Sequence, residues 1–465
     1  MERKPVRRRA LALGLVAALG GSLLAGCSTG DSGVVITVGT GADSIPALKK
    51  AAEKCSTSEY KVVTETMPRS ADDTRLQWAR RITGNDTSLS ILALDVTWTA
   101  EFASADWLAD MPADVAERTK KRVLGGPLKT AEYQGTLYGI PAWANTQLLW
   151  YRKDLLQKLM GKPITTPPKL TWQQMLDYAA QSGKSGGPTG IAVTAAQYEG
   201  MVVWFNSLLE SEGGRIVGDD GTTLVLGQPK NKEAMIRALR IMKDVTTAPG
   251  HAAGITNFTE TETRLSMERG ESLFQLNWPF VLPSIQQNAA AGSVPWFGNE
   301  LARFKGVEKP ELGQLKQMNE IIRKKFDFAP YPQVKAGVPA KATLGGANLA
   351  VAKVAQHPDL AWKAAECLTN NESEKTYGLD AGTPPTVPAV YDDPEFIAVY
   401  PAAKIIRDQM QENSAAVRPL TPSYQAMSTL LAAKLAPVGG WEPDTLADEL
   451  IDAAQKAVDG KGLVP

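Results

Sequence analysis

Histidine is almost missing from this chain. His251 and His357 are the only two among 465 residues. Neither has a cysteine or carboxylate at metal-ligand spacing, so no metal site is expected. A Ser-His-Asp triad would have to use one of the two. Nucleotide signatures are missing as well. No G-x-G-x-x-G follows a strand-like run. Gly183-Lys184-Ser185 fails as a phosphate loop because Tyr178 stands where its first glycine belongs. No cofactor is therefore expected, and the chain is not expected to be an enzyme. Its plentiful carboxylates leave a glycosidase-like pair open as the minority reading.

Charge of one sign is missing too. Lys plus Arg and Asp plus Glu each number 50, so no basic field invites nucleic acid. Long apolar runs are confined to Leu11–Gly26, sixteen residues broken by glycines and too short for a comfortable membrane span. Arg3, Lys4, Arg7, Arg8 and Arg9 precede it, and Leu23-Leu24-Ala25-Gly26-Cys27 ends it. Small residues before a cysteine suit lipoprotein signal peptidase. That predicts a leader at 1–26, a diacylglycerol on Cys27 and a tether at 27–33. The competing reading is an ordinary signal peptide that ends at a cysteine by chance. Without the leader the chain has 45 basic and 49 acidic residues, a net charge of −4. The expected location is the extracytoplasmic face of the cell membrane, held by lipid.

Cysteine is scarce beyond that point. Only Cys55 and Cys367 are left, an even number for an oxidising compartment. A disulfide between them would place an early and a late segment in one domain. Two buried free thiols are the alternative.

What is present reads as α/β. Val34–Val38, Tyr60–Thr66 and Ser88–Val96 are β-branched or apolar runs that predict strands. Gly39–Asp43 reads as a loop and Ile45–Cys55 as a helix. Ser70 and Asp73 suggest a capping box for a helix to about Gly84, with Leu76, Ala79 and Ile82 on one face. Strand and helix alternate, which predicts a mainly parallel sheet with ligand beyond the carboxyl ends of its strands. Asp43 and Asp95 both fall there. Further helices are predicted over Thr171–Gln181, Tyr198–Ser211, Asn231–Val245 and from Pro443 to Gly460. A strand is predicted over Ser272–Asn277, with two extended runs between Phe326 and Lys353. No long linker separates independent domains.

Aromatic plates are abundant, with eleven tryptophans. A sugar offers an apolar ring face and a belt of hydroxyls. Its site needs an aromatic ring beside planar polar groups. Most tryptophans belong in cores. Trp278 is the exception favoured here, because it follows a strand and precedes Pro279.

Longer segments carry a resemblance. They include Tyr133-Gln-Gly-Thr-Leu-Tyr138-Gly139-Ile140-Pro141, Asn145-Thr-Gln-Leu-Leu-Trp-Tyr151-Arg152, Ala93-Leu-Asp95-Val-Thr-Trp98, Asn277-Trp-Pro-Phe280, Leu344-Gly345-Gly346-Ala-Asn348 and Val417-Arg418-Pro419. In this order they resemble the carbohydrate-binding, maltose-binding-like solute-binding proteins of ABC importers. More narrowly, they resemble the trehalose-binding lipoproteins of mycobacteria and related actinobacteria. The resemblance implies a monomer of two α/β lobes on a hinge, the type II periplasmic-binding-protein fold. The lobes would be 34–144 plus 340–393 and 145–339 plus 394–465, with Cys55 and Cys367 paired in the first. It implies trehalose, or else maltose or another α-glucoside, held between closing lobes and passed to permease subunits driven by a cytoplasmic ATPase. By motif, Asp95, Asn145 and Glu260 would bond hydroxyls, and Trp278 would stack on a ring. Arg418 would clamp hydroxyls, Gly346 would bring backbone close, and Asp43 matches an acidic loop position. Thr74, and Trp143-Ala144 before Asn145, depart from the pattern, where relatives carry Gln and Thr-Thr.

Overall fold

A computed structural model describes residues 33–68 and 70–461, the side chain of Asp43 excepted. The leader, Cys27 and nearly all of the tether lie outside the described residues.

Two sheets organise the chain. The strands are β1 (Val34–Gly41), β2 (Tyr60–Met67), β3 (Ile91–Asp95), β4 (Glu132–Tyr133), β5 (Thr136–Leu137), β6 (Ile140–Thr146), β7 (Leu148–Arg152), β8 (Gly190–Ala192), β9 (Ser272–Asn277), β10 (Phe326–Ala329), β11 (Ala342–Val351) and β12 (Ala415–Ala416). The first sheet runs β12-β11-β3-β1-β2, with β6 also on β11. The second runs β10-β7-β9-β8. Strands β4 and β5 form a separate hairpin. Helices cover the sheets, so the class is α/β as expected. None among the described residues is long and apolar enough to cross a membrane.

The sheets are mixed rather than mainly parallel. Strands β1, β2 and β3 run parallel, but β11 lies antiparallel to both β3 and β6. Local alternation of strand and helix holds only for the early segment. Strand β11 arrives from about 250 residues further along the chain, and its direction is set by where it crosses. Only Gln147 separates β6 of the first sheet from β7 of the second. The chain crosses back between Ala329 and Ala342. These two short crossings tie the sheets together and bring the ends of β3, β6, β9 and β11 to one place.

Two early details also differ from expectation. Strand β1 continues through Gly41, in register with Met67. Gly39 serves packing rather than a turn: a Cβ there would lie 2.3 Å from the Trp78 ring. For the same reason the inward face of helix Ala71–Thr83 is Thr74, Arg75, Trp78 and Ile82, while Leu76 and Ala79 are half-buried. Ser70 caps that helix by accepting from Asp73 N at 3.3 Å. Elsewhere the expected elements stand at or within a few residues of their predicted bounds, including Ile45–Cys55 and Ser272–Asn277. Cys55 and Cys367 are joined in a disulfide across 312 residues, which links helix Ile45–Cys55 to helix Pro358–Leu368 beside the first sheet.

Candidate functional site

The first sheet supplies an acid at a strand end. Asp95 closes β3 and is half-buried. Its Oδ1 accepts from Thr97 N at 2.9 Å and from Thr97 Oγ1 at 2.8 Å, which fixes the carboxylate at the sheet edge. It faces a cavity of about 240 Å3 lined by Thr40, Gly41, Thr74, Trp98, Trp143 and Gly346, among others. The helix carrying Thr74 is anchored by the neighbouring Arg75, whose Nη1 lies 2.7 Å from Glu101 Oε1.

A buried cation stands next to that acid. Arg418 is 8% exposed, and its Nη2 lies 3.8 Å from Asp95 Oδ1. Nη2 also donates to the Leu344 carbonyl at 3.1 Å, and Nη1 donates to Glu199 Oε1 at 2.6 Å. Glu199 further accepts from Tyr424 Oη at 2.6 Å and from Ser428 Oγ. Burial works against the guanidinium charge, but Tyr424, Glu199 and Asp95 around it more than offset this and hold its pKa above the ordinary arginine value. Burial, and then Glu199, push the Tyr424 phenol far up, so the hydroxyl is neutral and donates. Arg418 Nε has no hydrogen-bond partner among the described residues.

The strand pair β6–β11 brings in the next group. Asn145 lies opposite Gly345. A Cβ on Gly345 would be 2.5 Å from Asn145 Oδ1 and 3.4 Å from the Trp278 ring. Glycine there lets the amide and the indole share one spot. Gly346 has φ +146°, and a Cβ on it would meet the Trp143 carbonyl at 2.3 Å. The Gly346 carbonyl accepts from Val96 N at 3.2 Å, beside Asp95.

The second sheet adds the rest. Trp278 follows β9, half-buried, with its N–H donating to Asn277 Oδ1 at 2.9 Å. Asn277 Nδ2 donates to the Glu260 carbonyl at 2.9 Å. Glu260 begins a helix capped by Thr259 and Glu262, and its carboxylate accepts from Tyr198 Oη at 2.7 Å. Burial first, and Glu260 next, raise the Tyr198 phenol above its usual value.

Of the seven expected residues, Asp95 and Arg418 meet directly, while Gly346, Asn145, Trp278 and Glu260 are joined to one another and to them through Val96, Gly345, Leu344 and Asn277. Asp43 sits in the turn Ala42–Ser44, whose neighbours Gly41 and Ser44 line the same cavity; its side chain lies outside the described residues. Sequence reasoning missed Tyr198, Glu199 and Tyr424. The one usable signal was that a buried Arg418 requires a buried partner. Among the described residues no group of three or more His, Cys, Asp or Glu could hold a metal. The assembled chemistry is one of recognition: carboxylates, an amide and a guanidinium for hydroxyls, and an indole face for an apolar ring surface.

Comparison with known proteins agrees with this fold. The model of the bacterial extracellular solute-binding protein family matches residues 40–375. A probable ABC transporter-binding protein of Deinococcus radiodurans is 24% identical over 362 residues, covering 76% of this chain and 75% of the relative. Maltose-bound MalE3 of T. maritima is 25% identical with a TM-score of 0.68, covering 91% of this chain and 99% of that one. The sugar-binding protein MalE of the phytopathogen Xanthomonas citri superposes with a TM-score of 0.70 at 20% identity, over 92% and 98% of the two chains. These neighbours share the two-lobed architecture built here from two sheets. With its fold and most of its length in agreement, the chain belongs to the bacterial extracellular solute-binding protein family.

Proposed function

We propose that this chain is the sugar-capturing subunit of an ABC importer, anchored outside the cell through a lipid on Cys27. It takes an α-linked disaccharide, trehalose first, between its two lobes. The two lobes close on the sugar about the crossings at Gln147 and between Ala329 and Ala342. The closed form docks on the permease, whose ATPase lies in the cytoplasm.

The observation that carries this reading is the Trp278 ring beside Asn145 at a glycine pair, next to the pair of buried Arg418 and half-buried Asp95. Stacking on the ring supplies apolar burial. Charged hydrogen bonds to hydroxyls supply direction, worth roughly 1.5–3 kcal/mol each once water is excluded. The partly exposed Asp95 carboxylate has capacity for such bonds. No covalent step is involved. A maltose reading has its own support in the maltose-bound T. maritima neighbour at 25% identity. Leu23–Cys27 supports the anchor.

A thermal-shift panel of trehalose, maltose, sucrose and a trisaccharide, with glucose release assayed in parallel, tests the reading. Stabilisation by trehalose without glucose release supports it. Stabilisation by maltose alone moves the assignment to maltose. Released glucose would identify a glycoside hydrolase, and no shift with any sugar would reject sugar capture.

A further inference from the structure

The cavity on Asp95 does not stand alone. Adjoining it is a second, smaller cavity of about 30 Å3, room for about one water. The two share five lining residues: Thr40, Ser44, Ala93, Trp143 and Ala347. Four of these are small, and Trp143 is the one large side chain that lines both.

The sequence around Trp143 places it there. Strand β6 alternates, so Trp143 and Asn145 point to the same face, and both are half-buried. The β6–β11 register slips beside Trp143: Ala347 pairs with Trp143, but Asn348 pairs with Pro141, leaving Ala142 as an extra residue. A bulge of this kind re-aims the neighbouring side chain. The indole also packs on the buried core of the first sheet, which fixes its position. The larger cavity, at about 240 Å3, is below the ~300–1,000 Å3 of typical ligand pockets. The smaller cavity is apolar, walled by Leu48, Leu349, Tyr377 and Ala381.

We propose that Trp143 is a specificity-determining residue: it forms the floor under the ring bound at Asp95 and bars rings bearing an apolar substituent from the chamber beneath. This rests on the sugar-binding reading above. Removing the indole joins the two cavities into one deeper pocket, polar above and apolar below. An aryl glucoside then places its aromatic group where the indole stood. A plain disaccharide gains nothing and loses a packing surface.

The test is calorimetric titration of the parent, Trp143→Ala and Trp143→Phe proteins with trehalose, maltose and phenyl α-glucoside. In the parent, a disaccharide binds more tightly than the aryl glucoside. In Trp143→Ala the ratio of the two dissociation constants moves toward the aryl glucoside by about tenfold or more, the usual scale for reshaping an apolar pocket. Trp143→Phe, which keeps a ring and most of the packing, moves it the same way by a smaller factor and serves alone if the alanine protein does not fold. A ratio within about twofold of the parent in the variants that fold overturns the inference and leaves sugar capture standing. A parent that binds none of the three overturns both.

Discussion

Arg418 Nη1 and Glu199 Oε1 lie 2.6 Å apart although 219 residues separate them in sequence. The pair joins the late segment that carries Arg418 to the helix that begins at Glu199, and Tyr424 and Ser428 close around the same carboxylate. Removing one partner strands a buried charge. Glu199→Ala is expected to lower stability by about 2–4 kcal/mol, with the lower part of the range set by the partial exposure of Glu199. Tyr424→Phe should cost about 1 kcal/mol. Urea unfolding of the two variants checks the order; a Glu199→Ala protein as stable as the parent would show the pair to be unimportant.

Gly346→Ala should be poorly tolerated. At φ +146° the residue sits where a side chain is strained, and its Cβ would press on the Trp143 carbonyl. Strain alone is worth about 1–3 kcal/mol, and displacement of β6 would move Asn145 as well. Both a lower melting temperature and weaker sugar binding are expected. Gly135→Ala is a useful comparison: it also has positive φ, at +79°, but a Cβ there meets nothing within 4 Å. It should lower stability and leave affinity unchanged.

Stability should fall as pH rises from about 5 to about 8. Burial pushes the Glu374 carboxyl up to about 8, against the pull of Thr386 and Arg122. Below its unfolded value of 4.5, both folded and unfolded states hold the proton. Between there and about 8 only the folded state keeps it, so its stabilising share is progressively lost and is gone above about 8. Glu374→Gln should flatten that part of the profile. The comparison is of melting temperatures at about pH 5, 6.5 and 8; equal slopes for parent and variant would contradict it.

The Cys55–Cys367 disulfide closes a loop of 312 residues. Its loss in a Cys55→Ala, Cys367→Ala protein should cost about 2–5 kcal/mol. Denaturant melts of oxidised, reduced and double-variant protein measure it. Reduced and double-variant protein should coincide below the oxidised form.

Much of this was legible in the chain because the deciding interactions are local. Ile45–Cys55 and Ser272–Asn277 carry their own periodicity and stops. Asp95 could be placed at a strand end, and Trp278 at the mouth of a loop, from their immediate neighbours. What was hidden depends on distant partners. The direction of β11 is set by β3 and β6, far back in the sequence. Gly39 reads as a turn residue until Trp78 is seen packed against it. Glu199 and Tyr198 look like an ordinary helix start, and only the folded chain brings them to Arg418 and Glu260. Trp143 stood out as a departure from the family pattern, but the chamber it lines is assembled from seven separate elements.

The most direct measurement is calorimetric titration of trehalose into the parent, Asp95→Ala and Trp278→Ala proteins. If the cleft between the sheets is the sugar site, the parent binds one trehalose, and each variant, still folded, binds at least about tenfold more weakly. Unchanged affinity in both folded variants would contradict the site, and no binding by the parent would contradict trehalose as its ligand.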